Sequence, residues 1–351
     1  MEYHFTETLT AAQSDAWNAF LETSGHSHLL QHPAWVRVSG KTRRGAYGYF
    51  WGENDGRVQV TALVRRVRLP RFGWSQDWVE RGPVCDDADL LIEATRRLGD
   101  VLQRAGGVEL IVNPYWWSPE AERVETGLSQ LGFAPWGRSG GPHDHTLVID
   151  LTPDEEAIRM SFRKAIRHAL RHAEELGLEV APARDETDIH AFWLAFQEMA
   201  EQKHIGGLDE GYLLRLWREL LSDQDHGLCL IARYQGEMVA GHIVLRHGHR
   251  VEELHSPSLP GRFAEVPKKH LCVWEAIRWA RARGCTVYDL AGYTPDAPEG
   301  SVLAGINQFK MGFSKNAVTL VREYRRVFSP ARAGVLARVL QLRSRLRQRH
   351  G

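Results

Sequence analysis

The stretch GLCLIARYQGEMVAGHIVLRHG, residues 227 to 248, holds two apolar runs on either side of the turn sequence Tyr-Gln-Gly-Glu. Two such runs separated by a short segment with glycine predict the antiparallel strands of a β-hairpin. The elements that follow it are a strand at 250–258, a helix at 268–284 and a strand at 286–292. This half of the chain therefore predicts an α/β domain.

The first half of the chain repeats this order. GAYGYFWGENDGRVQVTALVRRV, residues 45 to 67, alternates apolar and polar residues around Glu-Asn-Asp-Gly, which predicts a second hairpin. A helical pattern at 87–107 ends in glycines, and an apolar strand at 108–114 follows. Further helices are predicted at 10–23, 121–133, 154–175, 188–203 and 209–222. The fold class is thus α/β, with two similar domains.

Composition excludes several classes of protein. Lysine plus arginine and aspartate plus glutamate both number 44, so the net charge predicts no general attraction to nucleic acid or anionic membranes. No signal peptide or long apolar run is present, which favours a cytoplasmic protein. The four cysteines form no CxxC pair, and no HExxH pattern accompanies His168 and His172. Neither a disulfide framework nor a metal site is expected.

The C-terminal segment 331–351 has leucine and valine at helical spacing, is rich in arginine and contains no acidic residue. This pattern is typical of a terminal helix that packs on the first domain. It is also typical of a basic amphipathic helix that makes peripheral contact with a membrane surface or binds RNA phosphates.

Several motifs in one order resemble the Fem family of peptidyl aminoacyltransferases, also called FemABX. They extend from residue 29 to residue 313. The motifs are LLQHPAWVRVSGK (29–41), ERGPVCDD (80–87), VNPYWW (112–117), LGF followed by HTLVIDL (131–151), SFRKAIRHALRHAEELGLEV (161–180), VYDLAG (287–292) and FKMGF (309–313).

The resemblance implies two tandem GNAT-like acyltransferase domains. The first is expected to comprise 1–150 plus 319–351, because in this family the last strand and helix return to domain one, and the second to comprise 151–318. Many relatives carry a coiled-coil arm, but the segment from 200 to 225 is too short for one. The compact form is therefore expected.

The resemblance also implies an activity. The family transfers an amino acid from aminoacyl-tRNA to an amine, usually of a peptidoglycan precursor and in some relatives of a small peptide-like metabolite. The donor is an activated ester, so the transfer needs no cofactor or metal, and the enzyme aligns the amine and stabilises the oxyanion. The expected partners are the acceptor end of aminoacyl-tRNA, as co-substrate, and the amine acceptor.

Lys310, between Phe309 and Phe313, matches the FK motif of the family and is expected to face the ester carbonyl or the neighbouring phosphate. By itself the pattern is equally typical of a lysine at the rim of a core helix. Asp289 lies at the end of the VYDL strand and is expected to take the proton from the attacking ammonium or orient the amine, or else to cap the next loop. Tyr293 lies on that loop, which suits a wall of the acceptor site.

Substrate phosphates are expected to bind basic residues. Arg163 and Arg167 lie on one helix face beside Lys164, a pattern that is also typical of a solvated helix surface. Lys203 corresponds loosely to a basic residue that relatives use for acceptor phosphates. Arg81, in the Arg-Gly-Pro sequence, is expected to shape the acceptor groove or a strand-terminal turn.

One position departs from the family pattern. Compact relatives place a phosphate-binding lysine about three residues after the tryptophan of the first motif, where this chain has Val38. Lys41 and Arg37 are the nearby candidates for that role.

The main alternative is a GNAT N-acyltransferase that uses acyl-CoA and acts on a sugar or amine. Such enzymes usually carry a Q/R-x-x-G-x-G/A loop at a helix start to hold the pyrophosphate. The chain has no convincing copy, since RAGGVE at 104–109 leads into a predicted strand. A non-catalytic binding module is a third interpretation, because a fold alone proves no activity.

Overall fold

The computed structural model describes residues 1–40, 46–137, 144–259, 261 and 263–348, with the side chains of all except 70, 340 and 342–348. In these ranges the strands are β1 (Glu2–Thr6), β2 (Tyr47–Asn54), β3 (Arg57–Leu69), β4 (Trp74–Val79), β5 (Val84–Cys85), β6 (Gly107–Val112), β7 (Ala134–Pro135), β8 (His145–Asp150), β9 (Glu179–Pro182), β10 (Gly227–Tyr234), β11 (Glu237–His247), β12 (Arg250–His255), β13 (Val287–Asp289), β14 (Ala317–Thr319) and β15 (Tyr324–Val327). The α-helices are α1 (Ala11–Thr23), α2 (Trp35–Val38), α3 (Ala88–Arg104), α4 (Ala121–Gln130), α5 (Glu155–Ser161), α6 (Lys164–Glu175), α7 (Glu186–Lys203), α8 (Glu210–Leu216), α9 (Lys268–Ala282), α10 (Val302–Phe313) and α11 (Pro330–Gln348). The α/β class predicted from the sequence is confirmed.

The chain divides into two compact units. The first contains 1–33, 41–139 and 320–351, and the second contains 34–40 and 140–319. These bounds differ from the expected 1–150 at two places. Residues 34–40 belong to the second unit, and so does β8, because β8 pairs with β13 and β14 rather than with a strand of the first sheet.

The first unit is built on a sheet with the strand order β1-β2-β3-β4-β6-β15-β7, and β5 pairs with β3. The predicted hairpin at 45–67 is the antiparallel pair β2–β3, whereas β4 and β6 run parallel. β15 enters this sheet from the far end of the chain and pairs with β6 and β7. A buried apolar cluster that includes Leu91, Leu98 and Leu110 forms the core.

In the part of the chain that the structure describes, the second unit repeats this seven-strand order without a counterpart of β5, as β9-β10-β11-β12-β13-β8-β14. The hairpin predicted at 227–248 is the pair β10–β11, and the parallel pair is β12–β13. β8 therefore occupies the position that β15 occupies in the first sheet. The core of the second unit includes Leu170, Val251 and Ile277.

One predicted helix is two helices in the structure. The helix expected at 154–175 is interrupted at Phe162, whose backbone is extended with φ −68° and ψ 151°. The Phe162 side chain is buried and its ring packs edge-on against Trp274 and Phe313. Burial of this ring stabilises the break in the helix. The contact between Phe162 and Phe313 also places the start of α6 next to the end of α10.

The region where larger relatives carry an arm is compact. α7 ends at His204, which has a left-handed φ of 52°, and α8 begins after its N-cap residue Asp209. Between these caps lie only residues 205–208, so the compact form expected from the sequence is present.

The C-terminal helix α11 packs on the first unit. Ala333 and Leu336 are buried in a cluster with Leu69 and Val108, and the Arg332 guanidinium lies 5.4 Å from the centre of the Trp74 ring. The packed-helix interpretation is therefore the one that the described part of α11 supports. Within the described residues, no helix combines the length and the apolar character that crossing a membrane would require.

Candidate functional site

The candidate site of the second unit lies where β12 and β13 stop pairing. Their parallel ladder covers three residue pairs and ends with Glu252 opposite Asp289. Polar side chains from β11, β12, β13, α9 and α10 collect beyond this point. The ends of parallel strands are a common place for functional side chains, because the chains diverge there and leave backbone and side-chain groups accessible.

Lys310 lies on the last turn of α10 and is half-buried. Its ammonium donates to the carbonyl oxygens of Ala291 and Gly292, at 2.6 and 2.7 Å. Burial lowers the pKa of Lys310, and the carboxylates of Glu253 and Asp289 oppose this shift. Two fixed carbonyls thus hold the ammonium in place beside acidic groups.

The phenylalanines on either side of Lys310 form an apolar wall. Phe313 is 2% exposed and packs in the core, whereas Phe309 is half-buried and lies edge-on to Phe313 and to the His270 ring. The Lys269 ammonium lies 5.2 Å from the centre of the Phe309 ring. The wall excludes water from one side of the site, and this strengthens electrostatic interactions there.

Asp289 is 1% exposed. Its Oδ1 accepts hydrogen bonds from the Thr146 hydroxyl and from the Ala291 backbone N–H, the latter at 2.7 Å. Ala291 has a left-handed φ of 53° and carries one of the carbonyls that bind Lys310. Of the roles expected for Asp289, the geometry favours that of capping the next loop.

A chain of hydrogen bonds that the sequence did not reveal crosses the site. The Ser256 hydroxyl lies 3.1 Å from His242 Nδ1, and His242 Nε2 lies 2.9 Å from the Tyr288 hydroxyl. The Tyr288 hydroxyl donates to Glu253 Oε1 at 3.2 Å. Glu253 therefore sits at the end of a buried chain and next to the lysines of the site.

Burial changes the acid–base properties of these groups. Desolvation raises the pKa of Glu253 to about 7, although Lys310, Lys269 and the Tyr288 hydroxyl each lower it. Burial lowers the pKa of His242 to about 3 and raises that of Tyr288 well above its usual range. At neutral pH His242 is thus uncharged, the Tyr288 hydroxyl keeps its proton, and Glu253 is poised to exchange one.

Lys269 brings a further positive charge to the start of α9. This helix follows Pro267, which provides no side-chain cap, and its first turn contains no acidic residue. Burial lowers the pKa of Lys269 to about 8, and the charges of Lys203 and Lys310 add to the lowering while Glu253 opposes it. Lys203, Lys269 and Lys310 therefore all contribute positive charge near the start of α9, and this charge suits a phosphate-bearing ligand.

Comparison with known proteins identifies the family. A sequence profile of the FemAB family matches residues 12–219, and a profile described as an acetyltransferase (GNAT) domain matches residues 160–310. The chain belongs to the FemAB family. Because the second profile describes an acetyltransferase domain, this FemAB-family chain is an enzyme of the acyltransferase type.

Solved structures show the same fold. The crystal structure of FemX superposes with a TM-score of 0.83 at 15% identity and covers 95% of this chain and 99% of its own. L-PGS from Bacillus licheniformis gives 0.56 at 11% identity, covering 90% and 91%. A tandem GNAT protein from the clavulanic acid biosynthesis pathway gives 0.52 at 11% identity, covering 94% and 99%. No protein with a curated description matches in sequence. The expected pair of tandem GNAT-like domains is thus confirmed.

In the FemAB-family chain, the basic residues of α6 do not share one environment. Arg163 and Lys164 are exposed at the start of the helix, and the Arg163 backbone N–H donates to the Gly312 carbonyl at 2.9 Å. Arg167 is half-buried, and its Nη1 donates to the carbonyls of Met160, at 3.0 Å, and Phe162. Arg167 therefore caps the end of α5, while Arg163 and Lys164 stay near the end of α10.

These contacts give different expectations for neighbouring arginines. Arg167→Ala is expected to destabilise the second unit by about 1–3 kcal/mol, because two carbonyls lose a charged donor. Arg163→Ala, at an exposed side chain, is expected to leave the unfolding temperature unchanged and to raise KM for a phosphate-bearing substrate. Thermal unfolding and steady-state kinetics of both variants check this; equal loss of stability would contradict it.

The remaining candidates differ in their surroundings. Arg37 Nε pairs with Glu219 at 2.5 Å in the second unit, and Lys41 lies outside the described residues. The Tyr293 backbone N–H donates to the His145 carbonyl at 2.8 Å, and its side chain packs against the core. Lys203, at the end of α7, is exposed. The structure thus assigns Arg37 an ion-pair partner and Tyr293 a place in the core wall.

Arg81 is a residue of the first unit. It is buried, has a left-handed φ of 55°, and precedes the cis peptide bond between Gly82 and Pro83. Its backbone N–H donates to Asn113 Oδ1 at 2.8 Å, and its guanidinium lies 5.3 Å from the centre of the Tyr115 ring. These contacts fit the strand-terminal turn that the sequence left open beside the acceptor-groove role.

Proposed function

We propose that this enzyme transfers an amino acid from aminoacyl-tRNA to an amine of a peptidoglycan precursor or of a small peptide-like metabolite, and so forms an amide bond. The single observation that carries the proposal is the placement of Lys310. Its ammonium is held by two backbone carbonyls beside an apolar wall, in the second unit of a FemAB-family chain.

This geometry fits aminolysis of an ester. The attacking amine turns the ester carbonyl oxygen into an oxyanion, and a fixed cation in a dry site stabilises that charge more than it stabilises the neutral ester. Because Lys310 is already positioned by Ala291 and Gly292, it needs little rearrangement when the charge develops. The reaction requires no redox change.

The positive charge near α9 supports a donor that carries phosphates. The first turn of α9 has backbone N–H groups without a side-chain cap, and Lys269 and Lys203 act on the same region. The corresponding helix of the first unit, α3, differs because the Asp87 side chain accepts from the Leu90 N–H at 2.8 Å. A carboxylate at that position disfavours an anion. The second unit is therefore the better donor site.

The test compares aminoacyl-tRNA with acyl-CoA as the donor of the transferred group. The protein is incubated with a pool of charged tRNAs or with acyl-CoAs, each with peptidoglycan precursors and simple amines, and products are measured by mass. We expect an acceptor enlarged by one aminoacyl residue, in an amount that prior ribonuclease treatment abolishes. Product from acyl-CoA alone would assign the chain to the acyl-CoA class, and no product from either donor with folded protein would refute the proposal.

A further inference from the structure

The described carboxylates at the candidate site differ in their surroundings. Asp289 Oδ1 accepts hydrogen bonds from the Thr146 hydroxyl and the Ala291 N–H, which fix the loop. The Glu252 carboxylate lies 3.8 Å from His247 Nε2. Glu253 is joined to the buried Tyr288–His242 chain, its charge acts on Lys310 more strongly than those of Asp289 and Glu252 do, and it also acts on Lys269. Glu253 is thus the carboxylate best placed to act on a group bound at Lys310.

We propose that Glu253 is the catalytic base of this enzyme, which takes a proton from the ammonium of the acceptor and returns it to the leaving oxygen of the donor ribose. This inference rests on the proposed function. It assigns to Glu253 the proton-accepting role that the sequence analysis gave as one alternative for Asp289.

The proton transfers balance. Glu253 removes one proton from the acceptor ammonium, and the free amine forms a C–N bond to the ester carbonyl, whose oxygen becomes the oxyanion beside Lys310. When the C–O bond breaks, the ribose oxygen leaves and takes the proton that Glu253 holds. The second amine proton passes to water. No oxidant, reductant or further reactant is required.

Tyr288 and His242 are positioning residues in this scheme. Because the Tyr288 hydroxyl donates to Glu253, it accepts from the His242 Nε2–H, and His242 Nδ1 then accepts from the Ser256 hydroxyl. This direction needs a neutral imidazole with its proton on Nε2, which burial of His242 favours. The chain fixes the orientation of the Glu253 carboxylate without itself losing a proton.

The scheme predicts a pH dependence of kcat. The titratable groups that face Glu253 are Tyr288 and Asp289 on β13, His242 on β11, Lys269 on α9 and Lys310 on α10. Since burial raises the pKa of Glu253 to about 7, the base form grows as pH rises through 7, and kcat is expected to rise with it. The Tyr288 hydroxyl lowers this pKa, so Tyr288→Phe is expected to move the rise to higher pH.

The test measures kcat against pH for the wild type, Glu253→Gln and Tyr288→Phe, with tRNA donor and the acceptor found by mass. We expect Glu253→Gln to lower kcat about 10²- to 10⁴-fold and to abolish the rise near pH 7. Glu179→Gln, at an exposed carboxyl on β9 of the same sheet, is the matched control and is expected to keep the wild-type profile. Thermal unfolding verifies that each variant is folded.

The outcomes distinguish failure of the role proposed for Glu253 from failure of the proposed function. A folded Glu253→Gln variant that keeps the rise near pH 7, or a Tyr288→Phe variant whose rise does not move, overturns the role of Glu253 while tRNA-dependent transfer by the wild type still stands. A wild type that makes no tRNA-dependent product overturns the proposed function, and the inference with it.

Discussion

Replacing Lys310 by methionine is expected to lower kcat about 10²- to 10³-fold, as the removal of one oxyanion-stabilising donor does in other acyl-transfer enzymes. Methionine keeps the length and the apolar stem of lysine, so the contacts of α10 remain, but no charge faces the developing oxyanion. KM for the donor is expected to change less than kcat, because the lost interaction is strongest in the transition state.

The variant also loses a structural contact. The carbonyls of Ala291 and Gly292 lose their charged donor, which we expect to reduce stability by about 1–3 kcal/mol. Lys315→Met, at an exposed lysine just after α10, is the matched control and is expected to change neither kcat nor stability. Lys310→Arg keeps the charge and is expected to recover part of kcat. Full activity of a folded Lys310→Met variant would refute the role of Lys310.

The sequence predicted the parts of the fold that depend on local patterns. Both hairpins, at 45–67 and 227–248, could be found because alternating or continuous apolar runs flank short turns with glycine. The place of β8 could not, because it depends on pairing with β13 and β14, which lie far along the chain. The break of the helix at Phe162 likewise depends on the tertiary contacts of its ring with Trp274 and Phe313.

The residues of the candidate site that lie in local sequence motifs could be predicted, whereas those that meet only through strand pairing could not. Lys310 and Asp289 lie in short motifs that can be recognised one at a time. Glu253, Tyr288 and His242 lie on three strands and meet only because β12 pairs with β11 and β13. One signal was present in the sequence, since His242 interrupts the apolar run of β11. A polar residue inside a buried strand needs a partner, but the sequence does not name that partner.

Replacing Arg66 by methionine is expected to destabilise the first unit by about 3–5 kcal/mol. Arg66 Nε lies 2.9 Å from Asp77 Oδ1, and the side chains are 2% and 0% exposed. The guanidinium also donates to the Ser75 hydroxyl at 3.0 Å. Without Arg66, the buried Asp77 carboxylate loses its ion-pair partner, and removal of one partner from a buried pair costs far more than removal from an exposed pair.

The pH dependence of this loss follows from Asp77. Burial raises its pKa above the ordinary 3.8, and the Arg66 charge opposes the shift. Without Arg66 the pKa rises further. A raised folded-state pKa gives stability that is present below the unfolded pKa and is lost as pH rises through the folded one. The deficit of Arg66→Met is therefore expected to grow as pH rises above about 4.

Thermal unfolding at several pH values measures this deficit, and two further variants isolate its cause. Arg68 lies on the same strand as Arg66 but is more exposed, and Arg68→Met removes its ion pair with Glu7 and only a weaker charge effect on Asp77, so it is expected to cost about 0–1 kcal/mol. The double variant Arg66→Met with Asp77→Leu removes both buried charges, so it is expected to recover much of the loss. If the double variant is as unstable as Arg66→Met at neutral pH, the packing of the Arg66 stem, and not the unpaired carboxylate, accounts for the effect.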